Sequence, residues 1–302
     1  MKTDALNNRE PLIGLLFVIT AAFAFSTKAI IIKLAYGYGP QITPINLLCL
    51  RMLMSLPFFL LVLFFLERKG RAEPLVRSDQ YKLLGLGVVG FYFAAYLDFV
   101  GLSYISASLE RLILLLYPTL VVLLSALFLR RTISRREGIA LLVSYMGIMI
   151  VFYEELTLDG TNVVLGSLAI LASATAFAIY LIGCGEMVKR LGSMRFTAYA
   201  MTIACLATLL HFMLSTNANI LGLPPQVYGL AMLMAVLSTV IPTFLMNAGI
   251  RRIGASPAAI ISAMGPITTI FLAYLILGEQ LTHIQFMGAG LVIIGVWVVS
   301  VK

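Results

Sequence analysis

Ten mostly apolar stretches, each long enough to cross a lipid bilayer as a helix, follow one another along the 302-residue chain with short polar breaks between them. A hydrocarbon core about 30 Å thick needs roughly 20 helical residues at 1.5 Å rise each. The stretches cover 12–36, 42–66, 82–104, 107–130, 134–153, 162–187, 195–216, 225–250, 256–277 and 283–301. The longest connection, ERKGRAEPLVRSDQY, joins the second and third, so almost no chain is left over for a soluble domain and any chemistry is expected within the spans. Charged residues make up 11% of the chain and apolar ones 61%, whereas a soluble surface needs about 25% charge. The fold class expected is therefore all-α integral membrane. Intrinsic disorder, a fibre, a disulfide scaffold and a soluble enzyme are excluded by the same figures. Cys49, Cys184 and Cys205 are odd in number, sit in apolar runs and form no CxxC pair, so neither a disulfide framework nor a zinc site is indicated.

Direction follows from the basic residues, because cytoplasmic loops carry the excess of Lys and Arg. Seventeen of the 21 fall on one side: Lys2 and Arg9; Arg68, Lys69, Arg71, Arg77 and Lys82; Arg130, Arg131, Arg135 and Arg136; Lys189, Arg190 and Arg195; Arg251 and Arg252; and Lys302. The loops after spans one, three, five, seven and nine contain none. Both termini are thus expected in the cytoplasm, and a wrong span count would have scrambled this alternation. The net charge of +8 is a topology signal, with anionic lipid headgroups a weaker addition and nucleic acid not implied. Lys2 and Arg9 ahead of Ala22-Phe23-Ala24 mimic a secretory signal, but its removal would leave nine spans, and the first span is expected to stay.

The chain is also written twice. At an offset of 148, Gly101, Ile105, Ala107, Ser108, Ile113, Pro118, Leu127, Leu129, Gly147 and Val151 match Gly249, Ile253, Ala255, Ser256, Ile261, Pro266, Leu275, Leu277, Gly295 and Val299. At an offset of 152, Gly14, Leu16, Ala22, Ala24 and Phe25 match Gly166, Leu168, Ala174, Ala176 and Phe177. The repeat unit is five spans, residues 1–153 and 154–302. Five is odd, so the second copy enters the membrane from the opposite side. Ten helices as two inverted five-helix repeats are the architecture of secondary transporters, in which a midplane site is exposed to each face in turn.

A charge at a helix centre costs roughly 2.5 to 3.5 kcal/mol on insertion scales, so those that persist face a bundle interior or a wet cavity. Within the spans lie Lys28, Lys33, Arg51, Arg111, Asp98 and Glu110. At 1.5 Å per residue, Lys28 is roughly 24 Å from its cytoplasmic end, Asp98 roughly 9 Å and Arg111 roughly 6 Å below their outer ends, and Arg51 about 13 Å in from outside. Lys33 is near a terminus and can snorkel. Two arrangements suit the others. Lys28, Arg51, Arg111, Asp98 and Glu110 line the outer part of a cavity and bind a zwitterionic or anionic metabolite or a coupling proton, or they pair internally and tie spans one to four together. Tyr92 and Tyr96, at i and i+4, and Tyr180, which stands where the repeat has Lys28, are candidates to stack on a substrate or ordinary packing. Pro118 and Pro266 each remove an intrahelical bond, from Leu114 and Ser262, and are hinge candidates or static bends. Small residues from Gly166 to Ala178 suit close helix contact along span six.

Three segments, LGEQLTHIQFMGAGLVIIGVWVV from Leu277 to Val299, GLSYISASLERLILLLYPTLVVLLSALFL from Gly101 to Leu129 and LCLRMLMSLP from Leu48 to Pro57, resemble EamA-type transporters of the drug/metabolite transporter superfamily. The resemblance runs over essentially the whole chain and implies ten helices, two EamA repeats, a central cavity, and efflux or exchange of small metabolites. It departs at one point: Gly278-Glu279 of the second half faces Arg130-Arg131 in the first. Positive-inside selection accounts for that, and it argues against a symmetric role for the glutamate.

His211 and His283 are the only histidines, with no HExxH, GxSxG or Walker sequence beside them. Neither an enzyme nor a cofactor or metal is expected. Energy would come from an ion gradient, a proton among the choices, or from exchange with a counter-solute. The function expected is transport, export of small solutes such as amino acids across a bacterial inner (plasma) membrane. The alternatives are import or exchange of anionic metabolites, or a membrane receptor or assembly subunit without flux. Reporters fused to the two tails should both signal from the cytoplasm, and opposite signals would refute an even number of spans.

Overall fold

The computed structural model describes residues 9–68, 75–128, 130, 132–159, 162–215, 219–253, 258, 261, 264–280 and 282–300. Ser262 and most of the first turns of the ninth expected span, with Lys2, Lys69, Arg71, Leu129, Arg131, Ala255, Ser256 and Lys302, lie outside them. Its helices are α1 (Arg9–Tyr36), α2 (Pro44–Arg68), α3 (Arg77–Leu102), α4 (Ala107–Phe128), α5 (Arg135–Asp159), α6 (Asn162–Leu191), α7 (Ser193–Leu214), α8 (Pro225–Ile253), α9 (Gly265–Leu277) and α10 (His283–Ser300). Among the described residues, α1 to α8 are long and apolar enough to cross a membrane, and α9 and α10 are shorter apolar helices. Helix is what lipid demands, because no water is there to satisfy a free N–H or C=O. Large apolar side chains such as Phe64, Phe65, Phe128, Met287 and Trp297 point outward, where a soluble protein would carry charge.

The helices pair in a regular order. α1 runs along α8 and touches α9, α6 runs along α3 and touches α4, and α2 pairs with α7, α5 with α10, and α4 with α9. Half of the central window of α1 and of α6 is buried inside the protein, against 28% for α5, so α1 and α6 are the inner helices and α5 a peripheral one. Glycine sets the closest contacts. A Cβ on Gly249 would sit 3.0 Å from the Gly14 carbonyl oxygen, and one on Gly101 would sit 3.0 Å from the Gly166 carbonyl oxygen. These contacts occupy equivalent places at the two sequence offsets. Between α5 and α10, a Cβ on Gly147 would meet Gly288 O at 2.6 Å and one on Gly295 would meet Ala140 O at 2.7 Å.

The interior of the helices differs from the uniform spans that hydropathy suggests. α3 and α8 each widen into a π turn, at Val88–Phe93 and Val236–Val240, again 148 residues apart at their start, and α9 ends in a third at Ala273–Leu277. The prolines do more than bend. α4 is interrupted between Leu114 and Tyr117, with Leu116 N bonded to Ile113 O at 3.0 Å and Leu120 N to Leu116 O at 2.9 Å. Met264 N bonds to Ile261 O and Thr268 N to Met264 O, both at 3.1 Å, just ahead of and across Pro266. A proline lacks the N–H and its ring displaces the carbonyl four residues back, so α4 resumes at Tyr117 and Pro118, and α9 as described begins at Gly265 and Pro266.

Polar contacts gather at the two ends of the bundle. Lys82 bonds Glu186 at 2.9 Å, Arg190 bonds Asp79 at 2.6 Å and Arg195 bonds Glu67 at 2.8 Å, all between ends that the charge pattern puts on the cytoplasmic side. At the opposite ends, Lys33 donates to the Ile105 carbonyl of the α3–α4 connection at 3.0 Å and reaches the Leu102 carbonyl at the end of α3 at 3.5 Å. The glycine contacts yield a prediction. Gly249→Val and Gly101→Val should each destabilise by about 1–3 kcal/mol through overpacking, seen as lower melting temperatures in detergent, whereas Gly85→Ala and Gly229→Ala, where a Cβ meets nothing, should leave melting unchanged or raised.

Candidate translocation site

Ser26, Thr27 and Lys28 are consecutive on α1, so each points about 100° further round the helix and reaches a different neighbour. Ser26 Oγ shares its proton between the Ala22 carbonyl of its own helix at 2.8 Å and the Gly265 carbonyl of α9 at 3.0 Å, and Thr269 Oγ1 shares its proton between the Gly265 and Ser26 carbonyls, both at 3.2 Å. Thr27 Oγ1 and Ser238 Oγ of α8 are 2.8 Å apart. Lys28 Nζ donates to Asp98 Oδ2 of α3 at 2.6 Å and lies 3.5 Å from Glu110 Oε1 of α4. One ammonium therefore serves two carboxylates on different helices.

The carboxylates remain under-satisfied. Glu110 is fully buried and Asp98 nearly so, yet among the described residues Asp98 Oδ1 and both Glu110 oxygens have no hydrogen-bond partner. Buried carboxyl oxygens without partners are costly. The cations show the complementary deficit. Arg51 Nε donates to Thr239 Oγ1 at 2.9 Å and its guanidinium lies 5.6 Å from the Phe99 ring centroid. Thr239 sits in the π turn of α8 and donates to the Met234 carbonyl at 3.1 Å. The Arg111 guanidinium packs on Gly265, where a Cβ would be 3.2 Å from Nη2. Among the described residues no carboxylate is at ion-pair distance from Arg51 or Arg111. The site thus holds three cations and two carboxylates, with unpartnered oxygens on Asp98 and Glu110 and two guanidiniums, Arg51 and Arg111, that no carboxylate among the described residues neutralises.

The structure brings Lys28, Asp98 and Glu110 into direct contact and sets Arg111 against the start of α9, one residue before Pro266. It sends the tyrosines elsewhere. Tyr92 OH is 2.9 Å from His211 Nδ1 on α7, and the Tyr96 ring lies 4.7 Å from the His211 ring, edge-on. Tyr180 packs between Phe91, Phe177 and Phe196, with ring centroids 4.8, 5.5 and 6.1 Å away. Tyr117, restarting α4, meets Phe177 at 5.6 Å and links this aromatic column to the charged helix. Ser26, Thr27, Ser238, Thr239 and Thr269 were not singled out by charge counting. The two pairs of adjacent hydroxyls, Ser26-Thr27 beside Lys28 and Ser238-Thr239 in an apolar run, were the signal available.

The sequence model of the EamA-like transporter family matches residues 12–153 and again 164–301. The chain belongs to the EamA-like transporter family. It is a family of transporters, a non-catalytic class. The uncharacterized transporter YcbK of Bacillus subtilis is 36% identical over 292 residues, spanning 93% of this chain and 91% of its own. The uncharacterized transporter YyaM of the same organism is 24% identical over 288 residues, 94% of this chain and 93% of its own. A solved crystal structure superposes with a TM-score of 0.61 at 16% identity, covering 94% of each chain; at that identity the likeness is one of fold.

Removing one partner of a buried pair strands the others, at a cost of about 3–5 kcal/mol. Lys28→Met should therefore lower stability by that order, and the triple variant Lys28→Met, Asp98→Asn, Glu110→Gln should recover most of it. Thermal unfolding in detergent checks this, and a Lys28→Met protein as stable as the parent would refute the shared-ammonium account.

Proposed function

We propose that this family member is a secondary transporter of ten spans, folded as two inverted five-helix repeats over 1–153 and 154–302, which moves a small zwitterionic metabolite of amino-acid type by alternating access. The observation that carries the reading is the double deficit at the buried cluster. An ammonium group supplies donors to Asp98 and Glu110, and a carboxylate supplies acceptors to Arg111 and Arg51. One ligand bearing both satisfies both sets, and neither set is satisfied by an apolar solute. The repeat is supported by helix pairing, since α1–α8 and α6–α3 share the same glycine contact, and by the two separate family matches.

Alternating access needs elements that rearrange about a fixed site. The interruption of α4 ahead of Pro118 and the start of α9 at Pro266 suit that need, because Arg111 and Gly265 lie against each other there. We take the direction as outward, as in the efflux that the resemblance implies, in the plasma membrane of a bacterium with both termini in the cytoplasm. The coupling is to a proton or a counter-solute. The excess of one buried cation favours a second reading, transport of an anionic metabolite.

Protein reconstituted in lipid vesicles and loaded with a panel of solutes decides between them. Counterflow of amino acids, with dicarboxylates failing to compete, is expected. Glu110→Gln and Arg111→Gln should each lower the initial rate by roughly tenfold or more, the loss of one charge-assisted hydrogen bond, while eluting as folded protein. Competition by dicarboxylates alone would favour the anionic reading, and no movement of any solute would overturn both.

A further inference from the structure

The first turn of α4 is held from the other half of the chain. Glu279, in the turn between α9 and α10, accepts hydrogen bonds from Ala107 N at 2.9 Å, Ser108 N at 3.1 Å and Ser108 Oγ at 2.8 Å. Glu155, at the end of α5, accepts from Ser106 N at 3.1 Å and from Gln285 Nε2 at 3.2 Å. Three successive N–H groups at the start of a helix have no intrahelical acceptor, and the positive end of the helix favours a carboxylate. Here the acceptors come from α5 and from the α9–α10 turn, so the start of α4 is tied into both halves. Glu110 and Arg111 follow within the next turn of that helix.

We propose that Glu279 is the outer latch of the transport cycle and the positioning residue for Glu110 and Arg111. When its carboxylate sits on the N-terminus of α4, the two halves are closed on the side of the Lys- and Arg-free loops. Opening that side separates Glu279 from Ala107 and Ser108 and frees the first turn of α4 to move with its charges. The latch is one-sided by chemistry. The position related to Glu279 by the 148-residue offset is Arg131, a side chain with no acceptor, so the opposite face is without a carboxylate at the corresponding place. This inference rests on the transport reading above.

The test starts from a variant with Cys49, Cys184 and Cys205 replaced and a single reporter, Thr269→Cys, in the buried α1–α9 seam. A membrane-impermeant thiol reagent is added from the outer side. Glu279→Gln and Glu279→Ala should both speed labelling by roughly tenfold or more, because each loses the charged acceptor, and Glu279→Asp should return part of the protection. Acceleration by alanine alone would assign Glu279 a packing role and overturn the latch, as would no acceleration in either variant. A second measurement uses Ser108→Cys with Glu279→Cys joined by a short bis-methanethiosulfonate linker. Joining should stop counterflow and reductant should restore it. Flux that persists across the joined pair refutes the latch, while an unmodified parent that moves no solute refutes the transport reading and leaves the labelling result to decide the latch by itself.

Discussion

A single ammonium in a low-dielectric interior organises this protein. Lys28 stands between carboxylates of α3 and α4, and its neighbours Ser26 and Thr27 bond α9 and α8. Charge attraction without competing water is strong and of long reach, while dispersion between helices and lipid differs little from dispersion between helices. The polar contacts of one short stretch of α1 therefore specify which helices surround it. The glycine contacts then permit the approach that those contacts require, since Gly14 lets α8 come close two turns and more before Lys28 is reached.

The two halves share a skeleton and differ in chemistry. Glycine contacts and π turns recur at the same offsets. The charges do not: Lys28 corresponds to Tyr180, Asp98 to Met246, Glu110 to Ala258 and Arg111 to Ala259. Where one half gathers ions, the other gathers the rings of Phe177, Tyr180 and Phe196, with Phe91 of the first half packed among them. The polar site is accordingly built almost wholly from residues of the first family match, 12–153, with Thr239, Gly265 and Thr269 lent by the second, 164–301.

Spans were legible because the thickness of a bilayer imposes a length, and the buried charges because each is expensive enough to stand out. Pairing was harder to see. Tyr92 and Tyr96 share a helix face, as their spacing says, but spacing does not name the neighbour, which is His211. Thr239 was invisible as a partner of Arg51 because its direction depends on a π turn, a backbone feature that hydropathy does not encode. Glu279 stood out as part of a turn, while its partners lie 171 and 172 residues earlier in the chain, beyond what a one-dimensional pattern resolves. At Pro118 the helix is interrupted between Leu114 and Tyr117, and a break of this kind looks the same in sequence as a bend.

The wide turn at Val88–Phe93 acts as slack in α3. A π turn holds one residue more than the α-helical path it replaces, so excising one residue there would straighten α3 without harming its hydrogen bonds or its fit to the bilayer. Because the extra residue is absorbed within the wide turn, Asp98 would stay on the bearing of Lys28, whereas removing a residue from the α-helical stretch between the turn and Asp98 would swing it by about 100°. The wide turn thus tolerates a single-codon loss that the α-helical residues between it and Asp98 do not.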